Sequence, residues 1–246
     1  MIDTGKSEAA DSGGQSSVVG VAILLGATVI ALGVLTASVG TLIDGQTARS
    51  DATRVADGLD ETLEPVERTG HHAGQISFTD GTLRTAARDL RVYDASGLVA
   101  SYEIDALVYE HGDRRVAFVG GAVVRGREDG AWLVSDPPIL SGAGDESLVV
   151  GAAVLGAGHA SLGGDGTTAR LETNVSHSRR ELPADRYRVT IETATPAAFK
   201  SYFEAQGATV SQRDIDSDGV VSVVAEYPGT RTTYLVEHRM RLEVGA

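Results

Sequence analysis

The chain has no cysteine. Disulfides, zinc–thiolate centres and cysteine nucleophiles are therefore excluded, although the zero does not separate an oxidising from a reducing compartment. Lysine is almost missing: Lys6 and Lys200 are the only two, and arginine supplies nearly all the positive charge. The net charge is −13. Residues 1–43 hold Asp3, Glu8, Asp11 and Lys6, a net −2, which leaves −11 for the rest. A surface this negative argues against nucleic acid, whose phosphates need Lys/Arg patches. It suits a chain that stays hydrated in concentrated salt; the plainer alternative is an ordinary acidic protein. Asparagine occurs once, at Asn174. Charge itself is absent between Asp11 and Asp44.

That uncharged stretch holds the apolar run Val18–Ile43, 26 residues. At ~1.5 Å per residue a helix of this length crosses a hydrocarbon core of ~30 Å. No other segment matches it; Leu148–Leu155 is far too short. The expected layout is one membrane-inserting helix followed by about two hundred residues on one side, enough for a real core. A secretory signal has a basic start, a shorter apolar core and a cleavage site after that core. Here the run is longer and its start is acidic apart from Lys6. Gly20, Gly26, Gly33 and Gly40 recur six or seven apart along the run. Small residues at that spacing share roughly one face and let helix backbones approach closely, although glycine is also simply common in membrane helices.

Just before the run stand Asp11, Ser12, Gly13, Gly14, Gln15, Ser16 and Ser17, followed by Val18-Val19-Gly20-Val21. This block resembles the class III leader of archaeal type IV pilins and archaellins, and its Ser-Ser-Val-Val-Gly-Val start is similar to that of haloarchaeal pilin-like proteins. The resemblance implies that a prepilin peptidase cuts between Gly14 and Gln15 and leaves the helix on the mature chain. Ser17 stands where the family has proline, and Asp11 separates Lys6 from the junction. An uncleaved N-terminal anchor is the alternative. Lys6 on one side against Arg49 and Arg54 on the other favours, by charge alone, the head on the inside. The resemblance implies the opposite, a head outside the cell.

Beyond the run, Ala48, Ala52, Val55, Leu59 and Leu63 recur at steps of three and four, which predicts an amphipathic stem over 44–69, ended by Pro65 and Gly70. From Gln75 the period changes to two. Gln75–Phe78, Thr82–Tyr93, Leu98–Tyr109, Arg115–Val119, Gly121–Arg125 and Ala131–Val134 read as strands, separated by turns such as Asp80-Gly81 and Glu128-Asp129-Gly130. Spacings of about ten residues suggest an antiparallel sandwich or meander. Val149–Leu155 reads as a buried strand, and Gly156–Gly166 as a glycine-rich loop without the register of a phosphate-binding turn. Near the C-terminus a strand at Tyr187, Val189 and Ile191 precedes a helix capped by Thr195 with Pro196 in its first turn, stopped at Gly207. Strands Ala208–Arg213, Val220–Tyr227 and Thr232–Val244 complete a β-α-β-β-β order. The expected fold class is α+β: a transmembrane or filament helix over 15–43, the stem, and a β-rich sandwich-like head over 70–246 with a sub-boundary in 142–186. The segment from Asp105 to Gly126, with its Tyr109, Gly112-Asp113 and Gly120-Gly121-Ala122-Val123, is similar to the head of haloarchaeal pilin-like proteins of unassigned function, which implies membership and no chemistry.

Candidate chemistry is sparse. Asp214, Asp216 and Asp218 followed by Gly219 fit the opening of a calcium loop, with carboxylates at positions one, three and five. The twelfth position, which needs a bidentate Glu, is Ala225, and strands flank the loop, so a plain hairpin turn is the reading adopted. Asn174-Val175-Ser176 is an N-glycosylation acceptor. No histidine pair has the helical spacing of a zinc site. No nucleophile elbow or metalloprotease motif occurs. No cofactor is expected and no enzyme. The expected function is structural: a pilin-like surface protein, a minor subunit of a type IV pilus-like filament. Its expected partners are membrane lipid, a prepilin peptidase and like or related subunits. The alternative is a monomeric membrane-anchored ectodomain that binds a ligand or surface partner.

Overall fold

The computed structural model describes residues 13–127, 130–141 and 146–246, with side chains of the first helix described over 20–36 and from 45 onward. The leader proposed for 1–14 therefore lies outside the described residues except for Gly13 and Gly14. Two units are distinguished, the second beginning at Thr47. Among the described residues there are three helices: α1 (Gly13–Leu63), a 3-10 turn (Glu64–Glu67) and α2 (Pro196–Ala205).

The head consists of three sheets. The first comprises β1 (Gly70–Phe78), β12 (Thr167–Asp185), β16 (Arg231–Arg239), β10 (Ser147–Val154) and β9 (Ile139–Leu140) in that order, with β17 (Glu243–Gly245) also paired to β12. The second runs β11 (Ser161–Gly163), β2 (Thr82–Ala86), β5 (Ala106–His111), β6 (Arg114–Val119), β7 (Ala122–Arg125) and β8 (Trp132–Leu133). The third runs β14 (Thr209–Arg213), β15 (Ser222–Glu226), β13 (Arg188–Glu192), β3 (Asp89–Asp94) and β4 (Gly97–Glu103).

The central strands of the second sheet are buried on both faces. Leu107, Tyr109, Val116 and Phe118 join one core; Ala106, Val108, Ala117 and Val119, the alternate positions, join the other. This double burial turns the polar-apolar alternation of a half-exposed strand into near-continuous apolar runs. One core is shared with the stem of α1, where Ala52, Val55, Ala56, Leu59 and Leu63 are buried with Ile76 and Phe78 of β1. The stem predicted from three-and-four spacing thus packs on the head. It runs unbroken through Gly58, whose bare Cα faces Ile76: an added Cβ would lie 3.1 Å from Ile76 Cγ1. At Gly74 the approach is closer still, and a Cβ there would meet Thr62 Oγ1 at 2.0 Å. The other core holds Leu90, Val92, Val189, Ile191, Val223 and Ala225 of the third sheet, with Phe199 and Phe203 of α2.

Several expectations are corrected. The class is mostly β rather than α+β. No helix among the described residues is long and apolar enough to cross a membrane. The described apolar side chains, 20–36, extend roughly 25 Å at ~1.5 Å per residue, short of a ~30 Å hydrocarbon core. The single-pass anchor in a cell membrane, with its extracellular head, falls with that finding. The head is not wholly antiparallel, because β10 and β16 pair in parallel. The C-terminal strand-helix-strand-strand-strand order does not form one unit: β13, β14 and β15 share the third sheet, while β16 leaves it to pair with β12 and β10. Thr82–Tyr93 is interrupted at Ala87 and Arg88, and Leu98–Tyr109 at Ile104 and Asp105, where Asp105 takes a positive φ of 50°. Thr195 sits at the N-cap of α2 but makes no capping bond; its hydroxyl pairs with Thr193 Oγ1 at 3.0 Å.

Candidate functional site

The head brings a set of acidic side chains to one cleft of about 580 Å³. β3 supplies Asp89, β13 ends on Glu192, and the loop between β14 and β15 supplies Asp216 and Asp218. Glu103 from the end of β4 and Asp105 beyond it complete the acidic wall, and His159 lines the cavity from the loop before β11. Asp89, Glu192 and Asp216 each place a carboxylate oxygen within 4.8 Å of the others.

Two arginines answer this charge. Arg91 Nη2 donates to Asp89 Oδ2 and to Asp216 Oδ2, both at 2.6 Å. Arg88 Nη1 lies 3.6 Å from Glu192 Oε1. Burial raises the Asp89 carboxyl, Arg91 opposes, and Asp216, Glu103 and Asp218 push it further up. Burial raises Glu192 as well, against Arg88, with Asp218, Asp89 and Asp216 adding to the rise. Asp105 is raised by burial first and then by Glu103 and Asp89. Burial by itself lowers Arg91, but the hydrogen bond to Asp216 and the charges of Asp89 and Asp216 raise it overall. Hard carboxylate oxygens grouped this way suit a hard cation, yet Arg91 already occupies two of the three carboxylates.

The calcium-like loop is used mainly to build its own turn. Asp214 accepts from Ser217 N at 2.7 Å and Gly219 N at 3.1 Å, and Asp218 accepts from Val220 N at 2.9 Å. Only Asp216 and Asp218 line the cleft. The three aspartates therefore do not converge as a calcium loop requires. Ca²⁺ titrated into the protein in molar KCl is expected to bind with a dissociation constant of ~10⁻⁴–10⁻³ M or weaker. Micromolar binding that disappears in Asp216→Ala would overturn this reading.

The sequence-derived residues fall at separate places. Gly14 and Gln15 lie in the first turn of α1. Gly20, Gly26 and Gly33 have nothing among the described residues within 4 Å of an added Cβ. Gly40 continues the same helix. Asn174 is exposed in the middle of β12, opposite His71 of β1. Sequence reasoning missed the meeting of Asp89, Glu192 and Asp216, which come from three distant segments and carry no linear spacing. It also missed His177 and His238, which stand directly opposite each other on β12 and β16. Burial holds His238 below the usual histidine range, and His177 lowers it further, while the Val66 carbonyl and Glu67 oppose.

The first unit differs in character. On α1, Val21, Ile23, Leu24, Leu25, Val29, Ile30, Leu32, Val34 and Leu35 are exposed by between 59% and 70%, on every side of the helix. Thr28 and Thr36 return their hydroxyls to the carbonyls of Leu24 and Leu32, at 2.7 and 2.8 Å. These hydroxyls are satisfied within the helix, which leaves an apolar surface.

The chain belongs to a family of unknown function (DUF7289), which matches residues 14–243. The match takes in α1 as well as the head. No curated protein and no solved structure matches the chain.

Proposed function

We propose that the protein is a structural, pilin-like subunit that assembles with copies of itself through the apolar part of α1, leaving the acidic β-rich head on the outside of the assembly. The observation that carries this reading is the all-round exposure of the apolar side chains between Val21 and Leu35. A helix apolar on every side is stable in water only when it is covered. A second copy offers the same surface, and Gly20, Gly26 and Gly33 leave room for a neighbouring helix to approach closely. The family match begins at Gly14 and so includes this helix in the shared sequence. The leader-like block before it resembles that of pilins. Residues 44–246, the stem and head together at −11, supply the repulsion that keeps heads apart and hydrated.

Electron microscopy and light scattering of the full chain and of a fragment Thr47–Ala246 test the proposal. Filaments or large oligomers are expected from the full chain, and monomers from the fragment. Leu25→Asp, which places a charge on the apolar surface, should abolish assembly while leaving the head's melting transition in place. N-terminal sequencing of the native protein should begin at Gln15. A full chain that stays the size of the fragment would defeat the assembly reading.

A further inference from the structure

We propose that His177 and His238 form a two-histidine binding site for a late first-row transition-metal ion, of the Cu²⁺, Ni²⁺ or Zn²⁺ class. The two residues are directly paired on antiparallel β12 and β16. Their Nδ1 atoms are 3.0 Å apart, and the rings meet edge to face with centroids 4.9 Å apart and planes at 83°. Two imidazole nitrogens bound about 2.0–2.1 Å from one ion sit roughly 3 Å from each other in adjacent positions. The observed separation is therefore already the spacing of a ligand pair.

His238 is buried and His177 is exposed. In the metal-free protein one of the two rings supplies the proton between the Nδ1 atoms. Metal binding requires that proton to leave the Nδ1–Nδ1 line, which the exposed His177 ring allows by exchange with water. A rotation of His177 then turns both lone pairs toward one point, and water fills the remaining positions. The charge of Glu67 favours added positive charge at His238. Imidazole pairs select borderline ions, whereas Ca²⁺ and Mg²⁺ prefer oxygen. The acidic cleft lined by Asp89, Glu192 and Asp216 is a separate place with the opposite preference.

The test uses the full chain without a histidine tag. Cu²⁺ is titrated in, with binding followed by calorimetry and by electron paramagnetic resonance. One equivalent with two nitrogen ligands is expected, and the melting temperature should rise with Cu²⁺, Ni²⁺ or Zn²⁺ but not with Mg²⁺. His177 is exposed, so His177→Ala should fold normally. Losing only an outer-shell partner costs a metal site ~10–100-fold in affinity, so losing this ligand should cost about tenfold or more. His72→Ala, on the neighbouring β1, should leave binding unchanged. If His177→Ala binds Cu²⁺ as the wild type does, or if the wild type shows no two-nitrogen signal, the pair is only a cross-strand hydrogen bond and the proposal fails.

Discussion

Leu59→Asp should cost the fragment Thr47–Ala246 about 4 kcal/mol or more of folding stability. Leu59 is 0% exposed and shares its core with Val55, Leu63, Ile76, Phe78 and Phe118. Losing the buried leucine removes ~2 kcal/mol of apolar burial. Forcing a carboxylate into its place adds several kcal/mol, or obliges the carboxyl to stay protonated. Domains of this kind are stable by about 5–15 kcal/mol, so the variant sits near its unfolding threshold at room temperature. Urea denaturation followed by circular dichroism measures the loss. Because the penalty falls as the carboxyl takes up a proton, the variant should regain part of its stability as pH is lowered toward 5. An unchanged midpoint would mean that the stem does not pack on the head in solution.

Asp51→Ala should cost about 2–4 kcal/mol, through polar rather than apolar chemistry. Asp51 lies on α1 and is 0% exposed. Its Oδ2 accepts from Thr79 N at 2.9 Å and Asp80 N at 3.3 Å; its Oδ1 accepts from Thr79 Oγ1 at 3.2 Å and Arg54 Nη1 at 2.8 Å. One carboxylate thus ties the helix to the turn between β1 and β2. Alanine strands two backbone N–H groups, each worth ~1–3 kcal/mol if left unsatisfied. The exposed arm, Arg54, contributes little by itself. Asp51→Asn keeps an acceptor for the two N–H groups and should lose roughly half as much. With a fall of ~2–4 °C in Tm per kcal/mol for a chain of this size, calorimetry separates the two variants. Equal Tm values for Asp51→Ala and wild type would show that the turn is held by other contacts.

Both variants probe a joint that was partly visible in the sequence. The three-and-four recurrence of Ala52, Val55, Leu59 and Leu63 marks a helix with one apolar side, because 3.6 residues per turn puts those positions together. The same recurrence says nothing of Asp51, an acidic residue at the edge of that apolar side, one turn before Val55. Its burial is decided by where the Thr79-Asp80 turn arrives. β12 shows the converse. Ala169, Leu171, Thr173 and Val175 alternate inward, but Ser176–Glu181 are all exposed and polar. No local pattern marks that second half as strand; pairing with β16 does. Likewise Asp105 breaks an otherwise continuous β pattern only because the chain turns there to pass from the third sheet to the second.

What the sequence determined by itself is local: the helix before Leu63, the β character of Thr82–Val134 without its breaks at Ala87–Arg88 and Ile104–Asp105, the turn at Asp214–Gly219, and an apolar stretch that needs cover. Each follows from neighbours a few residues apart, whose spacing and turn chemistry act without help from the rest of the chain. The tertiary structure alone decided which strands share a sheet, the parallel pairing of β10 with β16, and the meeting of Asp89 with Glu192 and of His177 with His238. Those outcomes depend on contacts between residues tens to more than a hundred positions apart. They are selected by how two cores fill on either side of one sheet, and no window of the sequence contains that competition.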